Sequence, residues 1–414
     1  MATFNEKIFK ERICDFYLSN KALCDKNYLN AENPKMANIY IDIVDKEEIN
    51  NLFTMTSVVI LTANKYEKNV LHFNQYLNSN EKIKRISIDL MPNATKKEPT
   101  YAYFFKWHNY YILHIHALHT GSYTIGGSAD VTRFLINHEH LFPTAVISLG
   151  ICFGTNENKY ELGDVVISEK IYPYFMGSKI TEKGYFVNDD NVFAINQALK
   201  RDIQGNIIDT NQFNNLQYKV YMGNYITGEA IVSKKEARDA LVKDTTLQEV
   251  IAGEMEGYGV FKECNSHDSS NCCLVVKSIC DWAILKNFDC KNIMEERATE
   301  KGIEIATEYE TLKDRLQAYA SYNAYETLDK LLLNNIFSKS VYDTVLEQIL
   351  ELHNEKAIYE SRIKTIIKSI IRPSTYKKSL QGMISLLIKT GALEPDGSNK
   401  NSKNKAYLIR RECN

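Results

Sequence analysis

Short apolar runs rich in β-branched residues recur through the middle of the chain, with helically spaced apolar positions between them. Ser57-Val58-Val59-Ile60-Leu61-Thr62-Ala63 is the first such run, and the turn Asn64-Lys65-Tyr66-Glu67 leads from it into a helical pattern over 68–77, with Val70, Leu71 and Phe73 on one face. Residues 101–107 and 110–118 alternate as antiparallel strands around His108-Asn109. A helix over 129–137 precedes the strand-and-turn segment 145–154, and further strands follow at 162–168 and 221–232. Residues 249–252 form a strand-like segment that hands over to a helix ending near Cys264, and 274–280 is short and apolar, as a buried parallel strand should be. The spacer between these last two segments has the length of one crossover helix. The pattern predicts one large α/β domain over 53–320, closed by a long amphipathic helix from 291 to about 320. Residues 1–52 read as an N-terminal helical extension outside the sheet. Residues 172–218 are polar and irregular, with one helix near 191–199.

From 325 onward the pattern changes to short helices at 326–333, 341–353, 358–371 and 376–390, then a polar stretch and a strand at 406–411. This 325–414 module resembles a winged helix. Between 361 and 414 there are 12 Lys/Arg against 3 Asp/Glu, so its surface is expected to bind nucleic acid or to serve as a solvated basic face for protein docking. The whole chain, at a net charge of −2 over 414 residues, implies no particular partner by charge. With 44% hydrophobic and 25% charged residues it has the composition of a globular protein with a large core. Its nine cysteines form no CxxC pair, which predicts reduced thiols in a cytoplasmic protein. No run approaches the roughly 18 apolar residues of a membrane helix, and the N-terminus lacks a signal-peptide core.

The candidate chemistry lies in carboxylates. Glu254 and Glu256 bracket Met255 at a strand-to-helix junction, where free N–H groups and the helix dipole favour negative charge. Asp281 stands where the apolar strand 274–280 empties, at the sheet edge where open α/β proteins bind ligands. Each acid alone is also explained as a first-turn residue or an N-cap. His114 and His116 share a strand face, but no further ligand set at metal spacing accompanies them, so neither metal nor cofactor is implied.

Together, Glu254-Met255-Glu256-Gly257 followed by Val275-Val276-Lys277-Ser278-Ile279-Cys280-Asp281 resembles the paired signature of the purine nucleoside phosphorylase and methylthioadenosine/adenosylhomocysteine nucleosidase superfamily. The resemblance covers about 55–318. It implies a three-layer α/β fold with a central mixed sheet, and the following roles. Asp281 protonates the leaving purine, Glu256 binds the ribose hydroxyls with Met255 under the sugar, and Glu67 activates water. Glu254, Ala63, Gly150, Cys152, Ile231, Val232 and Cys280 line the substrate site. Two positions depart from the nucleosidase pattern: Ile231 replaces an aromatic residue that stacks on the base, and Cys280 replaces a serine.

The resemblance implies hydrolysis of the base–ribose bond of a purine nucleoside or nucleotide, and homo-oligomers are common in it. The arginines with which phosphorylases hold phosphate are absent after the first strand and near residue 118, which disfavours the alternative, a phosphate-dependent phosphorylase; Lys65 and Lys68 keep it open. Members fused to accessory modules resemble antiviral effectors that deplete ATP. A second alternative is a non-catalytic nucleotide sensor that binds DNA through the 325–414 module.

Overall fold

The computed structural model describes residues 6–89, 100–117, 119–122, 126–174, 179–181, 184–186, 192–209, 212–229, 232, 235–242, 249–266, 272–283, 290–352, 358–370, 373–396 and 406–409. The chain opens with α1 (Glu6–Ser19), α2 (Lys21–Ala31), β1 (Tyr40–Ile43) and α3 (Lys46–Met55). Next come β2 (Val58–Thr62), α4 (Lys65–Ser79), β3 (Ile83–Ile88), β4 (Thr100–Trp107), β5 (Tyr110–His116), α5 (Ser128–Asn137), β6 (Ala145–Gly154) and β7 (Val165–Pro173). The short β8 (Lys179–Thr181), β9 (Gly184–Phe186), β10 (Phe193–Ala194) and α6 (Gln197–Ile203) lead to β11 (Val220–Thr227), α7 (Lys235–Val242), β12 (Val250–Glu254) and α8 (Gly257–Ser266). β13 (Cys272–Asp281), α9 (Lys291–Glu300) and α10 (Leu312–Leu333) complete this part.

Eleven strands form one mixed sheet in the order β1-β3-β4-β5-β2-β6-β12-β11-β7-β10, with β13 paired to both β6 and β7. β5, β2, β6 and β13 run parallel to one another, β2 pairing with β5 and β6, and β13 with β6. Every residue of β2 is buried, which explains its unbroken apolar run: a central parallel strand has helices or strands on all sides. The carboxyl ends of β2, β6 and β13 therefore open at the same edge.

Three expectations need correction. Tyr40–Ile43 is not outside the sheet; it pairs in parallel with β3 at its edge. The helices before it join the same core, through Ile13, Cys14, Tyr17 and Cys24. The expected helix from 291 to 320 is broken: α9 stops at Glu300, and Gly302 turns the chain with φ 63°, a conformation that suits glycine. The long helix is instead α10, which runs through 320–325 and packs Tyr319, Leu328, Leu331 and Leu332 into the main core. Helical periodicity could not reveal the break, because apolar spacing continues on both sides of it.

The C-terminal elements are α11 (Val341–Leu350), β14 (Ile358–Tyr359), α12 (Glu360–Ile370), α13 (Pro373–Lys389), β15 (Leu393–Pro395) and β16 (Ala406–Ile409). The three strands pair antiparallel in the order β14-β16-β15, the helix and strand sequence of a winged helix. They enclose a second core around Val345, Ile363, Ile367, Met383 and Leu387, against which Met55 and Phe142 also pack.

Candidate active site

β2 ends at Thr62, and the chain turns through Ala63 and Asn64 into α4. Asn64 caps that helix by accepting from Tyr66 N at 2.8 Å, and Glu67 reaches back to complete a capping box. One Glu67 oxygen, Oε2, accepts from the amides of Ala63 (2.7 Å) and Asn64 (2.9 Å). The other, Oε1, accepts from Ile151 N on β6 at 2.9 Å. Capping alone would have left Glu67 near solvent; the bond to β6 turns it into the buried strand ends. Gly150 makes that approach possible, since a Cβ there would lie 2.0 Å from Glu67 Oε1.

Glu254 is the last residue of β12 rather than part of the helix. Its carboxylate accepts from Glu256 N at 2.8 Å and from Gly257 N at 2.8 and 3.0 Å, which satisfies the first free amides of α8. Glu256 is turned the other way. Oε1 accepts from Gly121 N at 3.2 Å, and Oε2 accepts from Lys277 Nζ at 2.5 Å. The junction is pinned by Ser122 Oγ donating to Met255 O (2.9 Å), Gly259 N donating to Ser122 Oγ (3.0 Å) and Ser128 Oγ donating to Glu256 O (2.6 Å).

Lys277 is the charge that makes this acidic cluster tenable. It is 1% exposed, with Glu256 at 2.5 Å and Glu254 at 3.4 Å. Burial alone would depress its ammonium, but Glu256, Glu254 and Glu67 outweigh it and hold the lysine protonated, above its ordinary value. Burial pushes the Glu67 carboxyl up; Lys277 pulls it down and Glu256 pushes it up again, leaving it raised. A buried lysine in an apolar strand is a signal legible in the sequence between Val276 and Ser278, yet sequence reasoning assigned it no role. Ser122, Ser128 and Glu229, whose Oε1 accepts from Ser122 N at 2.7 Å, were likewise missed; nothing in their spacing marks them.

Asp281 closes β13 opposite Phe153 of β6, after a register shift at Ile279. Its Oδ1 accepts from Ala283 N at 2.6 Å, and the Cys280 thiol faces Oδ2 at 3.7 Å. Burial, then the neighbouring Asp281 and Cys152, push the Cys280 thiol well up, so it stays a neutral, weak donor. Along β6 the points where Glu67 and Asp281 attach are two residues apart, roughly 7 Å of strand. Glu67 and Glu256 are buried and Asp281 is half-buried. Thus residues 67, 256 and 281 come together at one sheet edge, with Ala63, Gly150, Cys152, Met255, Glu254 and Cys280 beside them. Val232 is half-buried and packs with Tyr172, Tyr174, Ile226 and Val250. Ile231 lies outside the described residues.

A family model described as the phosphorylase superfamily matches residues 95–308, just over half of the chain. This protein belongs to the phosphorylase superfamily. The matched range contains Glu256 and Asp281 and begins after Glu67. The chain is 26% identical over 168 residues to a death domain-containing ATP nucleosidase from Amphimedon queenslandica, across 36% of this chain and 30% of that protein. It thus spans about 30% of the length of this curated relative. Among solved structures it is similar to the 5'-methylthioadenosine/S-adenosylhomocysteine nucleosidase of Neisseria meningitidis, with a TM-score of 0.46 at 17% identity over 67% of this chain and 98% of that one. It is similar also to the futalosine hydrolase of Helicobacter pylori, with a TM-score of 0.47 at 14% identity over 67% and 97%.

Proposed function

We propose that this protein hydrolyses the N-glycosidic bond of a purine nucleoside or nucleotide. The observation that carries the reading is the convergence of Glu67, Glu256 and Asp281 on the ends of β2, β6 and β13, with Lys277 buried among them. In the reaction the C1'–N9 bond breaks as Asp281 gives a proton to N7 of the purine, so that a neutral base leaves. Positive charge grows on the sugar, and Glu256, held by Lys277 and Gly121, accepts the ribose hydroxyls. Water adds to C1' and yields its proton to Glu67, whose raised pKa makes it a better base than an exposed glutamate. Lys277 opposes that rise without cancelling it. A positioned acid or base is worth roughly 10²- to 10⁴-fold each.

The relative's name, an ATP nucleosidase, supports ATP as substrate; the further reading, an antiviral effector that depletes ATP, rests on the appended C-terminal module and not on that name. The basic C-terminal module is then a candidate for sensing a nucleic-acid or protein trigger. Phosphorolysis is the second reading, and Lys68 favours it. Its ammonium is depressed by burial, lies close enough to His116 to influence it and has no ion pair among the described residues, whereas Lys65 is taken by Glu32 at 2.8 Å.

Chromatography of products from ATP, AMP, adenosine and methylthioadenosine, with and without phosphate, tests the proposal. Free base with free sugar, at a rate independent of phosphate, is expected. If all four stay intact with any trigger supplied, the reading fails; sugar 1-phosphate formed only with phosphate would select the second one.

A further inference from the structure

α7, KEARDALV, is half charged, and the one side chain it buries fully is Arg238, 1% exposed. A guanidinium this deep requires an acceptor for its donors. Nη2 lies 2.8 Å from Glu157 Oε2 and 2.7 Å from Asp239 Oδ1, Nε donates to Asp239 Oδ1 at 3.0 Å, and Nη1 donates to the backbone carbonyl of Trp282 at 3.0 Å. Lys235, one turn earlier, joins the same carboxylates at 3.3 Å (Glu157) and 2.9 Å (Asp239). The two carboxylates balance the two cations. The bond to Trp282 is therefore not needed for charge; it fixes a place.

That place is the turn that carries Asp281. Ala283 stands in the left-handed region with φ 56°, which a residue with a Cβ adopts only where its surroundings impose it. Its amide is the one that holds Asp281 Oδ1. The indole of Trp282 donates to Tyr160 O at 3.2 Å, Phe9 meets its ring edge-on at 5.7 Å, and Arg12 lies over it at 5.1 Å. The turn is thus clamped on the indole side by α1 and the segment after β6, and on the carbonyl side by Arg238.

We propose that Arg238 is a positioning residue for Asp281: through the Trp282 carbonyl it fixes the strained turn that aims the carboxyl, and through Glu157 it ties α7 to that turn. This rests on the N-glycosidase reading. It predicts a selective defect, because only a leaving group that must be protonated depends on the aim of Asp281.

The test compares Arg238→Met and Arg238→Lys on the purine substrate and on para-nitrophenyl riboside, whose phenolate departs without a proton. Arg238→Met is expected to lower kcat on the purine substrate about 10²-fold with KM nearly unchanged and to spare the phenolate substrate, while Arg238→Lys recovers part of the loss. Equal loss on both substrates, or a rise in KM alone, overturns the proposal. A second readout does not depend on activity. The chain has two tryptophans, so in a Trp107→Phe background Trp282 reports the turn alone. Arg238→Met should shift its emission and increase quenching by acrylamide at unchanged far-ultraviolet circular dichroism. Unaltered emission overturns the positioning role even if the parent protein cleaves nothing, whereas an inactive parent with altered emission sinks only the reaction. Should Arg238→Met fail to fold, the pair Arg238→Met/Glu157→Gln removes the unpaired charge, and the same outcomes apply.

Discussion

Beneath α4 a row of side chains runs from the sheet edge to the end of β2. Tyr40 Oη meets His72 Nδ1 at 2.8 Å, His72 Nε2 meets His114 Nδ1 at 2.8 Å, His114 Nε2 meets Thr62 Oγ1 at 2.8 Å, and Thr62 Oγ1 meets His116 Nδ1 at 3.0 Å. A few residues away, at the ends of β6 and β13, three glutamates surround Lys277. Both groups are buried and polar, but they meet the cost of burial in opposite ways. The histidines stay neutral: burial, and after it the nearby cations and imidazoles, push His72 and His114 well below the ordinary imidazole value and His116 down to about 4. The glutamate cluster instead keeps charge and balances it with an ammonium. A neutral row of hydrogen bonds, each worth about 1 kcal/mol net, can hold α4 against the sheet. Only a charged cluster can answer the charge that develops on a sugar. The row fixes Thr62, next to the Ala63 amide that holds Glu67, so the first group supports the second.

Breaking the charged group should cost most. Asp281→Asn is expected to lower kcat by about 10²- to 10⁴-fold with little change in thermal unfolding, read by base release and calorimetry on the same sample. Lys277→Met leaves buried carboxylates without their cation and should destabilise the fold by about 3–5 kcal/mol, measured by denaturant unfolding; a loss under 1 kcal/mol would mean the glutamates are not ionised together. Gly150→Ala displaces the Glu67 carboxyl and should cut kcat about 10²-fold while substrate affinity, measured by calorimetric titration, is retained.

The neutral row gives the smallest effect and a pH signature of its own. His116 titrates near 6.5 when unfolded and near 4 when folded. Between those values the unfolded chain binds more protons. Its contribution is complete above 6.5 and is lost as pH falls toward 4, at roughly 1.4 kcal/mol per pH unit. His116→Gln should remove that part of the slope in unfolding curves taken across this window. An unchanged slope would place His116 in contact with water.

The sheet was legible because its central strands are buried on both faces. Ser57 to Ala63 and Leu274 to Cys280 read as apolar runs, whereas the crossover expected between 249–252 and 274–280 is not found: β12 pairs with β6 antiparallel and β13 pairs with it in parallel. The acidic residues stood out because carboxylates rarely sit beside such runs. What escaped the sequence has no local signature. β1 is short and half-exposed, so Tyr40 to Ile43 looked like linker. Gly302 breaks a helix inside continuous apolar spacing. Arg238 looks like an ordinary surface cation until the chain folds around it, and the histidine row joins residues from four elements, β1, β2, α4 and β5, that no periodicity connects.

Cleavage in water enriched in heavy oxygen, with phosphate present, tests the account most directly. If Glu67 activates water beside Asp281, mass spectrometry should find one labelled oxygen on C1 of the released sugar, and Glu67→Gln should abolish its formation. Ribose 1-phosphate without label, or label appearing equally with Glu67→Gln, would contradict it.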